Sequence, residues 1–241
     1  MRSRRLDRGR SWLEDGRLRH IDRHREPPPP AGSAGAGSAW EIVPPYLTRT
    51  GFLDAAAADA LLDRVIRRED DFRPSPVGRR GVDPTIRRSW CLRDHGALTD
   101  ALKIRLLDLF PSLLEALHVA PFAAQAMEIE IVAHGDGAFY TRHVDTQVAR
   151  YDELDHVRAL SCVYYFHAMP KAFAGGNFRL HAIGGEAAGF VDIEPGHNSL
   201  LVLPAWAPHE VLPVHCPSGA FRDSRFAINC WFSRPKPESA A

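Results

Sequence analysis

The hydrophobic pattern of this chain changes period once, near Pro121. Before that point apolar positions recur at helical spacing: Ala58, Leu61, Leu62, Val65 and Ile66 form one stripe of a helix that Asp54 can cap and that runs to about Asp70. A second stripe follows Thr99. There Leu102, Leu106, Leu109 and Phe110 stay in phase until Pro111, which is expected to stop or kink the run, and Leu113, Leu114 and Leu117 extend it. Both stripes read as core. After Pro121 the signal becomes short apolar or alternating runs ended by Gly, Pro or Asn, at 127–133, 139–145, 159–166, 177–183, 189–193, 199–203, 209–214 and 226–232. Eight such runs with no helical pattern between them predict an α+β, mainly β, fold: a jelly roll with two N-terminal supporting helices packed on its outside.

The division of the chain follows. Residues 1–39 combine an arginine-rich head, four consecutive prolines and an Ala/Gly/Ser run, a composition that cannot bury enough apolar surface to fold, so they are expected to be a disordered tail. One domain is expected over 40–235, with helical support at 40–121 and the jelly roll at 122–235, and a short tail over 236–241. Between the helices, residues 72–97 are rich in Pro, Gly and Arg, which suggests a functional loop or lid.

Composition narrows the classes. The net charge of zero is a cancellation, since residues 1–26 carry nine Arg against five acids. Those acids are interleaved and only Trp12 could stack on a base, so a nucleic-acid partner is not expected. Arg4-Arg5 is followed by charged residues rather than an apolar segment, which argues against export, and no run approaches the roughly 18 apolar residues of a membrane span. Cys91, Cys162, Cys216 and Cys230 show no Cys-x-x-Cys pair, so reduced thiols in a cytoplasm fit best.

The chemistry centres on Tyr140-Thr141-Arg142-His143-Val144-Asp145. In a strand, residues i and i+2 share a face, which would let His143 and Asp145 reach one metal ion from backbones about 6.5 Å apart. The pattern is cheap. Among twelve histidines it also occurs at His20-Ile21-Asp22 and His134-Gly135-Asp136. Two His and one carboxylate on one face of an octahedron leave open positions for a co-substrate and dioxygen. The foremost third ligand is His209, at the start of a late strand, with His167, His181, His197 and His215 also available. An anionic co-substrate would need a fixed cation: strand parity puts Arg225, Ala227, Asn229 and Trp231 on one face, with Arg222 as a rival of opposite parity. Tyr165 could donate to the same carboxylate. Tyr140 opposes His143 in parity and reads as packing unless a bulge turns it inward.

Taken together, the blocks 134–145, 162–165, 175–176, 191–195, 208–211 and 225–232 resemble, in order, the prolyl-hydroxylase-like branch of the Fe(II)/2-oxoglutarate-dependent oxygenases, over about residues 127–233. The resemblance implies a double-stranded β-helix that binds Fe(II) through His143, Asp145 and His209. It further implies 2-oxoglutarate held by Arg225 and Tyr165, with Asn229 and Trp231 lining the cavity, O2 as the other co-substrate, and a prolyl or small-molecule substrate hydroxylated with release of succinate and CO2. The presence of Asp145 argues against halogenation. Three departures stand out: Ala133 where the hypoxia-sensing relatives have Tyr, the charged insert 151–156, and a long gap from His209 to Arg225. The rival reading is a cupin-like metal- or ligand-binding module, which needs neither an anion anchor nor open metal positions.

Overall fold

A computed structural model describes residues 18–19, 41–146, 155–184 and 189–236. The expected tail over 1–39 lies outside these residues except for Leu18–Arg19, which pair with Arg49 and Thr48, and the last five residues also lie outside them.

Two antiparallel sheets face each other as a double-stranded β-helix. The larger has eight strands in the order Leu18–Arg19, Leu47–Thr50, Ser199–Pro204, His156–Phe166, Arg225–Pro235, Ala126–His134, Trp90–Leu92, Arg73–Pro74. The smaller has five, in the order Phe190–Ile193, Phe178–His181, His209–Val211, Phe139–His143, Arg87–Arg88. Each predicted run appears as a strand, with changed ends: 209–214, for instance, splits into His209–Val211 and Val214–His215.

The two central strands of the large sheet are buried on both faces, for two different reasons. Outward, Phe226, Ile228, Cys230 and Phe232 join Leu160, Cys162, Tyr164 and Phe166 against the helices Ala55–Ile66 and Asp100–Ala116, which contribute Leu61, Leu62, Val65, Leu102, Leu106, Phe110 and Leu113. Inward, Ala227, Val132, Val163, Tyr165, Leu201 and Leu203 meet Phe178 and Leu180 of the small sheet. A strand covered on both sides reads as a continuous apolar run rather than an alternating one. That explains the unbroken burial of Ser199–Pro204.

The region before Pro121 departs from its sequence reading. The second helix continues through Pro111 without stopping, and the first ends at Ile66 rather than near Asp70. Residues 72–97 do line the cavity described below, through Pro76, Val77, Arg80, Arg87 and Arg93, but as a stretch anchored in the fold rather than a detached lid. They supply Arg73–Pro74 and Trp90–Leu92 to the edge of the large sheet and Arg87–Arg88 to the edge of the small one, stitching the stretch to both. These strands are two or three residues long, too short to show a period.

Candidate metal centre

His143 ends the strand Phe139–His143, and Asp145 lies beyond it in a turn, so strand parity is not what brings the two together. The turn is fixed instead by the backbone N–H groups of Asp145 and Thr146, which both donate to the Ala205 carbonyl at 2.9 and 3.0 Å. His209 pairs directly with His143 on the adjacent strand. The outcome is one cluster: Asp145 Oδ1 is 3.9 Å from His143 Nε2, and Asp145 Oδ2 is 3.7 Å from His209 Nε2. Among the described residues this is the one group of three or more metal-ligating side chains gathered within reach of a single ion. The four histidines that rivalled His209 as third ligand are engaged elsewhere: His181 with Glu210 at 3.0 Å, His215 near Asp136 at 3.5 Å, and His167 and His197 against each other.

The donor set is prepared for a cation. His143 Nδ1 donates to the Thr141 carbonyl at 2.7 Å and His209 Nδ1 to the Ala207 carbonyl at 2.9 Å, so both rings turn a free Nε2 lone pair toward Asp145. Burial and the neighbouring His209 bring the His143 imidazole down to about 3, so it is neutral at physiological pH. Burial alone would raise the Asp145 carboxyl, but His209 and His143 together with hydrogen bonds from Ser161 and Trp231 outweigh it and hold the group below its usual range. The Ser161 hydroxyl donates to Oδ2 at 2.7 Å.

Tyr140 also belongs to the site. Tyr140 and His143, three residues apart, oppose Val211 and His209, two apart, so one residue bulges out between them. The bulge turns Tyr140 inward, where its ring stacks on His143 at 3.6 Å between centroids, and the Arg87 guanidinium lies 5.1 Å from the same ring.

A cavity of about 1260 Å³ opens above this cluster. Arg225, Asn229 and Trp231 line it from one strand face, as their parity requires, and Arg225 is 1 % exposed. Its Nε donates to the Gly176 carbonyl at 2.7 Å, while Nη2 and the nearby Tyr165 hydroxyl are buried with no partner among the described residues. Burial raises the Tyr165 phenol to about 12. Arg222, the rival cation, sits exposed in a short turn of helix.

Of the remaining His-x-Asp copies, residues 20–22 lie outside the described residues. Asp136 has a structural duty, accepting the Cys216 N–H at 2.8 Å. Ala133 is turned toward the helices, so the departure at that position does not touch the cavity; the cavity-facing neighbour is His134. In the charged insert, residues 151–154 lie outside the described residues.

Compared with known proteins, residues 129–233 match the family model of the 2OG-Fe(II) oxygenase superfamily. An uncharacterized PKHD-type hydroxylase of Synechocystis sp. is 34 % identical over 144 residues, covering 57 % of this chain and 46 % of that protein. The chain thus spans about half the length of this curated relative. A Pseudomonas putida prolyl-4-hydroxylase superposes with a TM-score of 0.58 at 26 % identity, over 78 % of this chain and 92 % of that one. A Trichoplax adhaerens prolyl hydroxylase, solved with a hypoxia-inducible factor oxygen-degradation-domain peptide, gives 0.60 at 20 % identity, over 78 % and 82 %.

Proposed function

From a chain whose residues 129–233 match the family model of the 2OG-Fe(II) oxygenase superfamily, we propose an Fe(II)- and 2-oxoglutarate-dependent dioxygenase that hydroxylates a prolyl residue of a peptidyl substrate. The observation that carries the reading is the buried Arg225 guanidinium. A cation 1 % exposed, whose Nη2 has no carboxylate among the described residues and only the neutral Tyr165 phenol beside it, is costly until an anion arrives. It shares one cavity with the His143, Asp145 and His209 donors. A metal-storing or ligand-binding jelly roll needs only the second of these features.

His143, Asp145 and His209 would hold Fe(II), and two imidazole nitrogens with one carboxylate suit that ion. Together with 2-oxoglutarate and dioxygen, the bound metal supplies oxidation of an unactivated C–H bond with release of succinate and CO2. The protein's share is placement. Arg225 and Tyr165 take the far carboxylate of the co-substrate, and Ser161 and Trp231 fix the plane of the Asp145 carboxylate. Asn229, Trp231 and Tyr140 wall the cavity, so that the reacting groups meet in a site with little competing water.

The prolyl substrate is supported by the prolyl hydroxylases among the structural relatives and by a cavity larger than the usual small-molecule pocket of about 300–1,000 Å³. Four buried cysteines, all free thiols, fit a reducing cytoplasm. Among the described residues no helix is long and apolar enough to cross a membrane.

Anaerobic addition of Fe(II) and then 2-oxoglutarate to the full chain should develop a visible charge-transfer band, and admitting air should yield succinate. Absence of the band in the wild type would overturn the proposal. Peptides with and without proline then decide the substrate.

A further inference from the structure

We infer that His134 is a third donor to the 2-oxoglutarate carboxylate held at Arg225, acting through its Nε2–H. The inference rests on the proposed function and deepens it.

The hydrogen-bond inventory of Arg225 leads there. A guanidinium can only donate. Its Nε–H goes to the Gly176 carbonyl, and Nη1 points at His134 Nδ1, 3.4 Å away, which leaves Nη2 beside the Tyr165 hydroxyl with no acceptor in full hydrogen-bond geometry among the described residues. The fork is therefore partly occupied by the protein itself. A carboxylate carries roughly four acceptor positions, and one free arm of Arg225 with the Tyr165 hydroxyl does not fill them. His134 supplies what is missing. It pairs with Arg225 across the two strands, lines the same cavity, is 3 % exposed, and its Nε2 is a third buried polar atom without a partner.

The tautomer follows from the same contact. Because Nη1 must donate, Nδ1 accepts, and the ring proton of the neutral imidazole resides on Nε2, the orphaned atom. Burial first, and then the Arg225 and Arg87 cations, push the imidazole well below its ordinary range against the smaller opposing pull of the Arg225 backbone, so the ring is neutral. Nε2–H is then a donor at physiological pH with no hydrogen-bond partner among the described residues.

The test is calorimetric titration of 2-oxoglutarate into the full chain loaded with Mn(II) under nitrogen, beside a separate Mn(II) titration. His134→Ala should weaken 2-oxoglutarate about 10- to 100-fold, as expected for loss of a hydrogen bond to a charged group, and leave Mn(II) affinity within about twofold. Two isosteric variants separate the donor from mere support of Arg225. Gln places an amide N–H where Nε2 was and should retain most of the affinity; Asn keeps an acceptor for Nη1 but no far donor and should behave like Ala. Unchanged affinity in His134→Ala overturns the inference, as does retention in Asn with loss in Gln, which would make His134 a prop for Arg225. A wild type that binds no 2-oxoglutarate sinks the proposed function itself, a result distinct from either.

Discussion

The Ser161 hydroxyl donates a 2.7 Å hydrogen bond to Oδ2 of Asp145, tying a residue of the central strand to a carboxylate that stands in a turn. Ser161 is 1 % exposed and pairs with Trp231, whose indole also donates to Asp145. Removing the hydroxyl should free the carboxylate to rotate. Ser161→Ala is expected to lower divalent-metal affinity about 10- to 100-fold, the usual effect of losing an outer partner of a ligand, with the melting temperature of the metal-free protein little changed. Mn(II) titration followed by electron paramagnetic resonance checks it; an affinity equal to wild type would mean the turn alone orients Asp145.

Asp145 and Asp136 provide a matched pair of substitutions. Asp145→Ala removes the one carboxylate of the metal cluster and should abolish metal binding. Asp136→Ala removes the acceptor for the Cys216 N–H, so it should cost about 1–3 kcal/mol of stability and leave metal binding intact. Denaturant melts alongside metal titrations separate the two. Equal loss of metal in both variants would mean that the wrong copy of the motif has been chosen.

Gly176 is held at φ +65°, and a Cβ there would come within 2.7 Å of Arg225 Cδ and 2.8 Å of Val214 Cγ2. Gly176→Ala should therefore displace the guanidinium. A 2-oxoglutarate affinity at least about tenfold weaker is expected with metal affinity preserved, and destabilisation should exceed about 1 kcal/mol because the backbone conformation is also disfavoured. Arg222→Ala, at an exposed position, should change neither quantity.

Stability should fall on the acid side of neutrality. Burial holds His134 and His167 below their ordinary value of 6.5, so below that pH the unfolded chain takes up protons that the folded protein refuses. The stability difference is absent above about pH 6.5 and grows as pH drops beneath it. Thermal melts of the metal-free protein between about pH 7 and 5 should show the decline, and His134→Gln should flatten part of it. A slope identical to wild type would assign the decline to other groups.

Much of this was legible from local pattern. The two helical stripes, the two faces of Arg225–Pro235 and the trio His143, Asp145 and His209 follow from spacing and block order, because each depends on residues close in sequence or on a resemblance covering the β region. What escaped depends on register between distant strands. Ser161 reaches Asp145 only because strand His156–Phe166 runs beneath the turn, and His134 meets Arg225 only because those residues pair across 91 positions. The bulge beside Tyr140 is visible only in its pairing with His209–Val211. Asp145 stands beside His143 through a turn pinned to Ala205, which does what strand parity was expected to do.

The C-terminal strand has a bearing on how such a protein can change. Phe226, Ile228, Cys230 and Phe232 interlock with the helices, and between them stand Arg225, Asn229 and Trp231 facing the cavity. A library that varies only the cavity side keeps its scaffold. Insertion or deletion of a single residue, by contrast, would exchange the two sets and lose binding chemistry and core together. Divergence toward new substrates has its freest ground at the outer edge of the large sheet, where the exposed Arg73–Pro74 attaches with two residues.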